Sequence, residues 1–230
     1  MMPPFFIGES LRFGWRTMRL HNSLLLKVVL TLVGLALLRG LFQALVQNAP
    51  ANIALAILIT IIELIFGIGA TVISLRLARG EPASYRDIIP SVSTGIRYIL
   101  ASIAAGVIVL LGFLIPILLG SAALYLPAPF SSVVGGFLVA VGIILGVYLI
   151  LRYSMVKFGA VDGVHRIGEI LRQSTHITRG VKWRLLGFLI VIICLNILGA
   201  VALIVGLLVT IPVSMLAAAH VYLKLLERAG

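Results

Sequence analysis

Few side chains in this sequence could do chemistry, and most of those stand inside apolar runs. Arg39 and Glu63 are the sharpest pair, opposite charges set among aliphatic residues. A charge left alone in a bilayer costs at least a few kcal/mol, so each needs a partner or water. The two could line a gate or substrate site, or lock neighbouring helices as a structural ion pair. The structural pair is the expectation. Asn196 also lies in an apolar run, where an amide must bond to another helix or to water. Interhelical packing is the plainer role for it than ligand binding. His220 could sense protons, although such a residue more often bonds a neighbouring carbonyl.

A second group lies in a more polar stretch. Asp162, His165 and Glu169 share a helical face through i, i+3, i+7 spacing, with His176 further along it. Two carboxylates and an imidazole could hold a divalent metal. A solvated polar face opposite Val164, Ile167 and Leu171 explains the same pattern, and no metal or other cofactor is expected. His21 has no catalytic companion. No zincin histidine pair, phosphate-binding loop, nucleophile elbow or dinucleotide loop is present. The single cysteine, Cys194, permits neither an internal disulfide nor a thiolate cluster. Acid, base and nucleophile converge nowhere, so an enzyme is not expected.

The elements that hold these residues follow from composition. Of 230 residues, 61% are apolar and 11% charged, with a mean hydropathy of +1.21. Soluble domains carry about 25% charged residues. A water-soluble globular fold is therefore excluded, and a polytopic membrane protein remains. A span needs roughly 20 apolar residues as helix. Six stretches qualify: 24–46, 53–75, 99–119, 133–151, 185–203 and 207–225. The last two form one continuous run, with a tight reversal expected between Gly199 and Gly206. Pro116 and Pro212 should kink the third and sixth spans without ending them. On this layout Arg39 and Glu63 sit within about 5 Å of each other in depth, one on each helix of the first hairpin. No cleavable leader is expected, because the first apolar run carries Lys27 and no small-residue cleavage pattern follows it.

Net charge is +11, which in a soluble protein would point to nucleic acid. Here sixteen of the 18 basic residues fall in the two terminal segments and in the links after spans two and four. The opposite links, 47–52, 120–132 and 204–206, carry no charge. Lys and Arg mark the cytoplasmic side. Both termini are expected there, in a plasma or inner membrane, and nucleic acid is not an expected partner.

Segments of helical periodicity precede spans one, three and five. In the first, Ile7, Leu11, Trp15 and Met18 form a stripe beside Arg12, Arg16 and Arg19. In the last, Val164, Ile167, Leu171 and Ile177 stand against Arg166, Arg172 and Arg179. The middle one, Tyr85, Ile88, Ile89 and Val92, is shorter. Such helices lie in the headgroup layer with the stripe in the acyl boundary, or pack the stripe on the protein's own inner surface. The order fits a threefold repeat of amphipathic helix plus helical hairpin over 5–80, 84–160 and 163–228. The string IGESLR at 7–12 matches IGEILR at 167–172, and Arg19, Leu25 and Leu26 match Arg179, Leu185 and Leu186. Gly142 with Gly146, Ser102 with Gly106, and Ser214 with Ala218 are small pairs that let helices approach closely.

The stretches 74–88 (SLRLARGEPASYRDI), 169–187 (EILRQSTHITRGVKWRLLG), 195–199 (LNILG), 206–212 (GLLVTIP) and 219–222 (AHVY) carry a family resemblance. Together they resemble a broad group of uncharacterised prokaryotic six-span membrane proteins. That group is similar to the membrane domain fused to some glycerophosphodiester phosphodiesterases. The likeness covers about two thirds of the chain, and its motifs are topological. Members often carry a Pro-Gly pair at the end of the third span, where this chain has Pro116 and Ile117. The resemblance implies no functional residues, and no counterpart of the soluble phosphodiesterase domain is expected.

The expected fold is thus all-α, a six-span transmembrane bundle in a single membrane domain, with two or three amphipathic helices on the cytoplasmic side. The expected function is a non-enzymatic scaffold or lipid-interacting protein at the inner leaflet. Its partners would be anionic membrane lipids and, for assembly, a second copy or another membrane protein. The rival is a transporter or channel for a small or lipidic substrate that uses Arg39, Glu63 and Asn196.

Overall fold

A computed structural model describes residues 5–45, 49–125, 127, 130–164 and 166–229. Aliphatic runs in a bilayer must satisfy their backbone groups internally, and helices do so. The helices are α1 (Ile7–Leu20), α2 (Asn22–Leu45), α3 (Ala49–Arg79), α4 (Val92–Ala122) and α5 (Phe130–Tyr153). They are followed by α6 (Val156–Val161), α7 (Ile167–Ile177), α8 (Lys182–Val201) and α9 (Leu203–Ala229). No strand occurs among the described residues. Among the described residues, six segments are long and apolar enough to span a membrane: Asn22–Ala44, Ile53–Arg79, Val92–Ala122, Phe130–Val161, Lys182–Val201 and Gly206–Ala229. Each expected span falls on one of these. Helices α4 and α9 run on through Pro116 and Pro212.

Three local details differ from expectation. The reversal between α8 and α9 does fall between Gly199 and Gly206, but the turn is at Ala202 and residues 204–206 already belong to α9. A Cβ on Gly206 would run into the Gly199 carbonyl, so the two helices cross there with backbones in contact. In the link at 47–52, α3 already begins at Ala49, and residues 46–48 lie outside the described residues. The middle amphipathic segment is only a 3₁₀ turn, Tyr85–Ile88. Pro82 and Pro90 confine it. A capping box of Ser84 and Asp87 closes it, and an Arg76–Asp87 ion pair of 2.9 Å ties it to α3. Its Ile88 is buried while Ile89 and Val92 are exposed. Upstream, α3 ends in a Schellman motif on Gly80 (φ +75), with Glu81 N–H bonding Arg76 O and Gly80 N–H bonding Leu77 O.

The chain forms two compact units, Met1–Ile96 with Gly187–Gly230, and Arg97–Leu186. In the first, α9 is the hub, and α1, α2 and α3 all pack on it. Half of its apolar window is buried, against no more than 22% in any other span. Leu216 of α9 joins Leu25 and Val28 of α2 with Ala70, Ile73 and Leu77 of α3 in one core, at the helix ends nearest the basic residues. The far halves of α2 and α3 leave Leu37, Leu41, Ile53 and Ile57 exposed. Lipid supplies no hydrophobic drive to pair such surfaces.

In the second unit, Ser174 Oγ of α7 donates to the Arg152 carbonyl at 2.9 Å, and Thr178 Oγ1, just past the end of α7, shares its proton between the Ser174 carbonyl at 2.8 Å and the Arg152 carbonyl at 3.3 Å. Side chains thereby satisfy one orphan acceptor at the end of α5, the Arg152 carbonyl. Gly142 and Gly146 form the expected close approach, one against the Phe113 backbone and the other against its ring. Gly106 faces open space and makes no such seam.

Candidate functional site

The polar residues singled out within the apolar runs, Arg39, Glu63, Asn196 and His220, each have partners of their own. Arg39 Nη1 lies 3.0 Å from Glu63 Oε2, joining α2 to α3 as an ion pair. Asn196 Nδ2 donates to Ile192 O at 2.9 Å on its own helix and to Ser214 Oγ at 3.1 Å on α9. Its Oδ1 is buried without a protein partner, as is Thr210 Oγ1 one turn before Ser214. Sequence reasoning noticed Ser214 only as a small residue and missed Thr210. Both are read most easily from their i, i+4 spacing on the face opposite Asn196.

His220 meets an aromatic ring. Its ring stacks on Phe13 of α1, with centroids 4.2 Å apart and planes inclined at 19°. The acidic and histidine cluster is described only in part. His165 lies outside the described residues, and among the described residues no three ligating side chains come together.

Helix α1 buries a face the apolar pattern did not mark. Ser10, Gly14 and Thr17 are the buried residues, at i, i+4, i+7. A Cβ on Gly14 would stand 2.6 Å from Val213 O, so α1 and α9 touch backbone to backbone. The expected stripe lies beside this seam, with Ile7, Leu11 and Met18 half-buried and Trp15 exposed. Arg12, Arg16 and Arg19 are exposed next to it. The Arg19 guanidinium lies 4.9 Å from the centre of the Trp15 ring. Helix α7 has the same plan: Ile170, Ser174 and Ile177 are buried, while Glu169, Arg172 and His176 are exposed.

The second unit also contains a cleft of about 410 Å³ between the last turns of α5 and the first turn of α8. Ile143, Ile144, Val147 and Leu151 form one wall, and Leu186 and Trp183 the other. At its mouth the Lys182 ammonium sits 3.6 Å from the centre of the Tyr148 ring. Trp183 is 86% exposed. Sequence reasoning counted Lys182 and Arg152 only as charge. The signal it passed over is a tyrosine near the end of one span facing Lys-Trp at the start of another, the composition of a membrane–water boundary. Comparison with protein-family models, with curated proteins and with solved structures gives no match.

Proposed function

We propose that the protein is a non-enzymatic, multi-pass protein of the cell membrane, with both termini cytoplasmic, that serves as a scaffold or lipid-interacting element at the inner leaflet. The observation that carries this reading is the face α1 leaves exposed. With Ser10, Gly14 and Thr17 fixed on α9, Trp15, Arg12, Arg16 and Arg19 form one outward band. Placed in the headgroup layer, each arginine contributes about 1 kcal/mol of attraction to an anionic surface. The indole is suited to the same depth.

Helix α7 supports the reading as a second copy of the device. Ser10, Gly14, Thr17, Leu25 and Val28 are buried, and so are Ile170, Ser174, Ile177, Leu185 and Phe188, each 160 positions later. The matching register favours repeated units of like orientation for the first and third expected repeats, with the middle one lacking its helix. The transporter reading draws less support, because Arg39 and Glu63 satisfy each other.

The test is thermal unfolding of the purified protein in neutral detergent with added phosphatidylglycerol or phosphatidylcholine. Phosphatidylglycerol alone should raise the Tm, and replacing Arg12, Arg16 and Arg19 by Gln should remove most of that rise. If the anionic lipid neither copurifies nor shifts the Tm, the reading fails.

A further inference from the structure

We propose that the cleft between α5 and α8 binds one acyl chain of an anionic phospholipid, with Lys182 holding its phosphate at the mouth. This rests on the lipid-interacting reading and gives it a specific site. The cleft's volume, about 410 Å³, falls within the roughly 300–1,000 Å³ of small-ligand clefts. A water-soluble ligand would need convergent polar groups inside to fix its orientation. The walls here are aliphatic except at one end. From Ile143 to Leu151 they follow about 12 Å of helix at 1.5 Å per residue.

The polar end identifies the headgroup. Lys182 lies over the Tyr148 ring, and among the described residues no carboxylate is paired with it. Arg152, one turn beyond Tyr148 on α5, adds a second positive charge at this end of the helix. A chain threading the aliphatic walls would leave its phosphate beside these two cations, as charge complementarity requires. Trp183, almost fully exposed at the rim, would lie where glycerol and ester groups sit. A second copy of the protein is the poorer fit. Helices that pair in membranes present small residues so that backbones can approach, and this cleft is walled by Ile, Val, Leu and Trp.

Trp183 is a natural reporter, since the chain has 2 tryptophans and Trp15→Phe leaves it alone. The Trp15→Phe protein is reconstituted in nanodiscs containing phosphatidylglycerol or phosphatidylcholine with brominated acyl chains, at equal mole fraction. Trp183 should be quenched more by the brominated anionic lipid. Lys182→Gln should weaken its apparent affinity about fivefold, whereas Lys182→Arg should preserve it. Val147→Phe, which fills the cleft and leaves the cation in place, should lower quenching by both lipids. Equal quenching by the two lipids, or a preference untouched by Lys182→Gln in a protein of unchanged Tm, overturns the proposal. Self-crosslinking of a Trp183→Cys, Cys194→Ser protein in membranes also overturns it, by placing a second copy in the cleft. The two readings fail separately. If Arg12, Arg16 and Arg19 can be replaced by Gln with the phosphatidylglycerol-dependent Tm rise intact, the α1 reading fails, while the Trp183 measurement still decides the cleft.

Discussion

An arginine flanked by Leu37, Leu38 and Leu41 is tolerable in a membrane helix because Glu63 stands 3.0 Å away on the next helix. Removing one partner leaves the other charge without compensation, which is worse than removing both. Arg39→Gln and Glu63→Gln should therefore each destabilise the detergent-solubilised protein, and the double variant should lose less than their sum. The coupling expected for a contacting pair is about 0.5–3 kcal/mol. Additive losses in thermal unfolding would remove the ion pair as a stabilising contact. This pairing was legible in the sequence, because depth along two helices of one hairpin follows from counting residues. The partners of Asn196 and His220 were not legible. Counting gives depth, whereas Ser214 and Phe13 are met only through the rotation of each helix about its own axis. The meeting of Tyr148 with Lys182 and Trp183 was hidden for the same reason, since Tyr148 lies 34 residues before that adjacent pair and joins it only by packing.

The amphipathic helices show where a hydrophobic pattern stops being informative. Helix α1 was legible as a helix, from its period and its beginning near Ile7, but its contact face was not. Apolarity marks what leaves water, and within a membrane protein close packing favours small residues instead. Ser10, Gly14 and Thr17 are that seam. Gly14→Leu should prise α1 from Val213 and Ala217 of α9 and make the bonds after Arg12, Arg16 and Arg19 susceptible to trypsin in mild detergent. Gly8→Ala, whose Cβ meets nothing within 4 Å, should leave proteolysis unchanged. Equal trypsin resistance of the wild type and Gly14→Leu would contradict the seam. Helix α7 holds α5 by polar bonds, which allows a narrower experiment. Thr178→Val keeps the shape but removes the hydroxyl shared by the Ser174 and Arg152 carbonyls, and with Ser174→Ala the Arg152 carbonyl loses both side-chain donors. The double variant should lose about 1–3 kcal/mol in unfolding measurements, near the sum of two ordinary hydrogen bonds.

At the scale of the whole molecule, the number of spans was legible because length and apolarity fix it, while the division into two units was not. Six helices meet the bilayer's thickness, but which of them pack tightly depends on side-chain fit between surfaces that are all apolar. Charge carries the remaining global information. Sixteen of the 18 basic residues lie on one side of the expected layout, so orientation is encoded many times over. That redundancy makes the expected orientation separable from the proposed lipid binding. With Cys194 replaced by Ser, Pro127→Cys should react with a membrane-impermeant thiol reagent in intact cells. Ala229→Cys should react only after the membrane is opened, and the reverse pattern would invert the orientation. Replacing Arg12, Arg16 and Arg19 by Gln leaves thirteen basic residues on that side, so the labelling pattern should persist even as the response to anionic lipid falls. A variant that lost both together would mean that the three arginines of α1 set the topology themselves, and that their effect on lipid response followed from misinsertion.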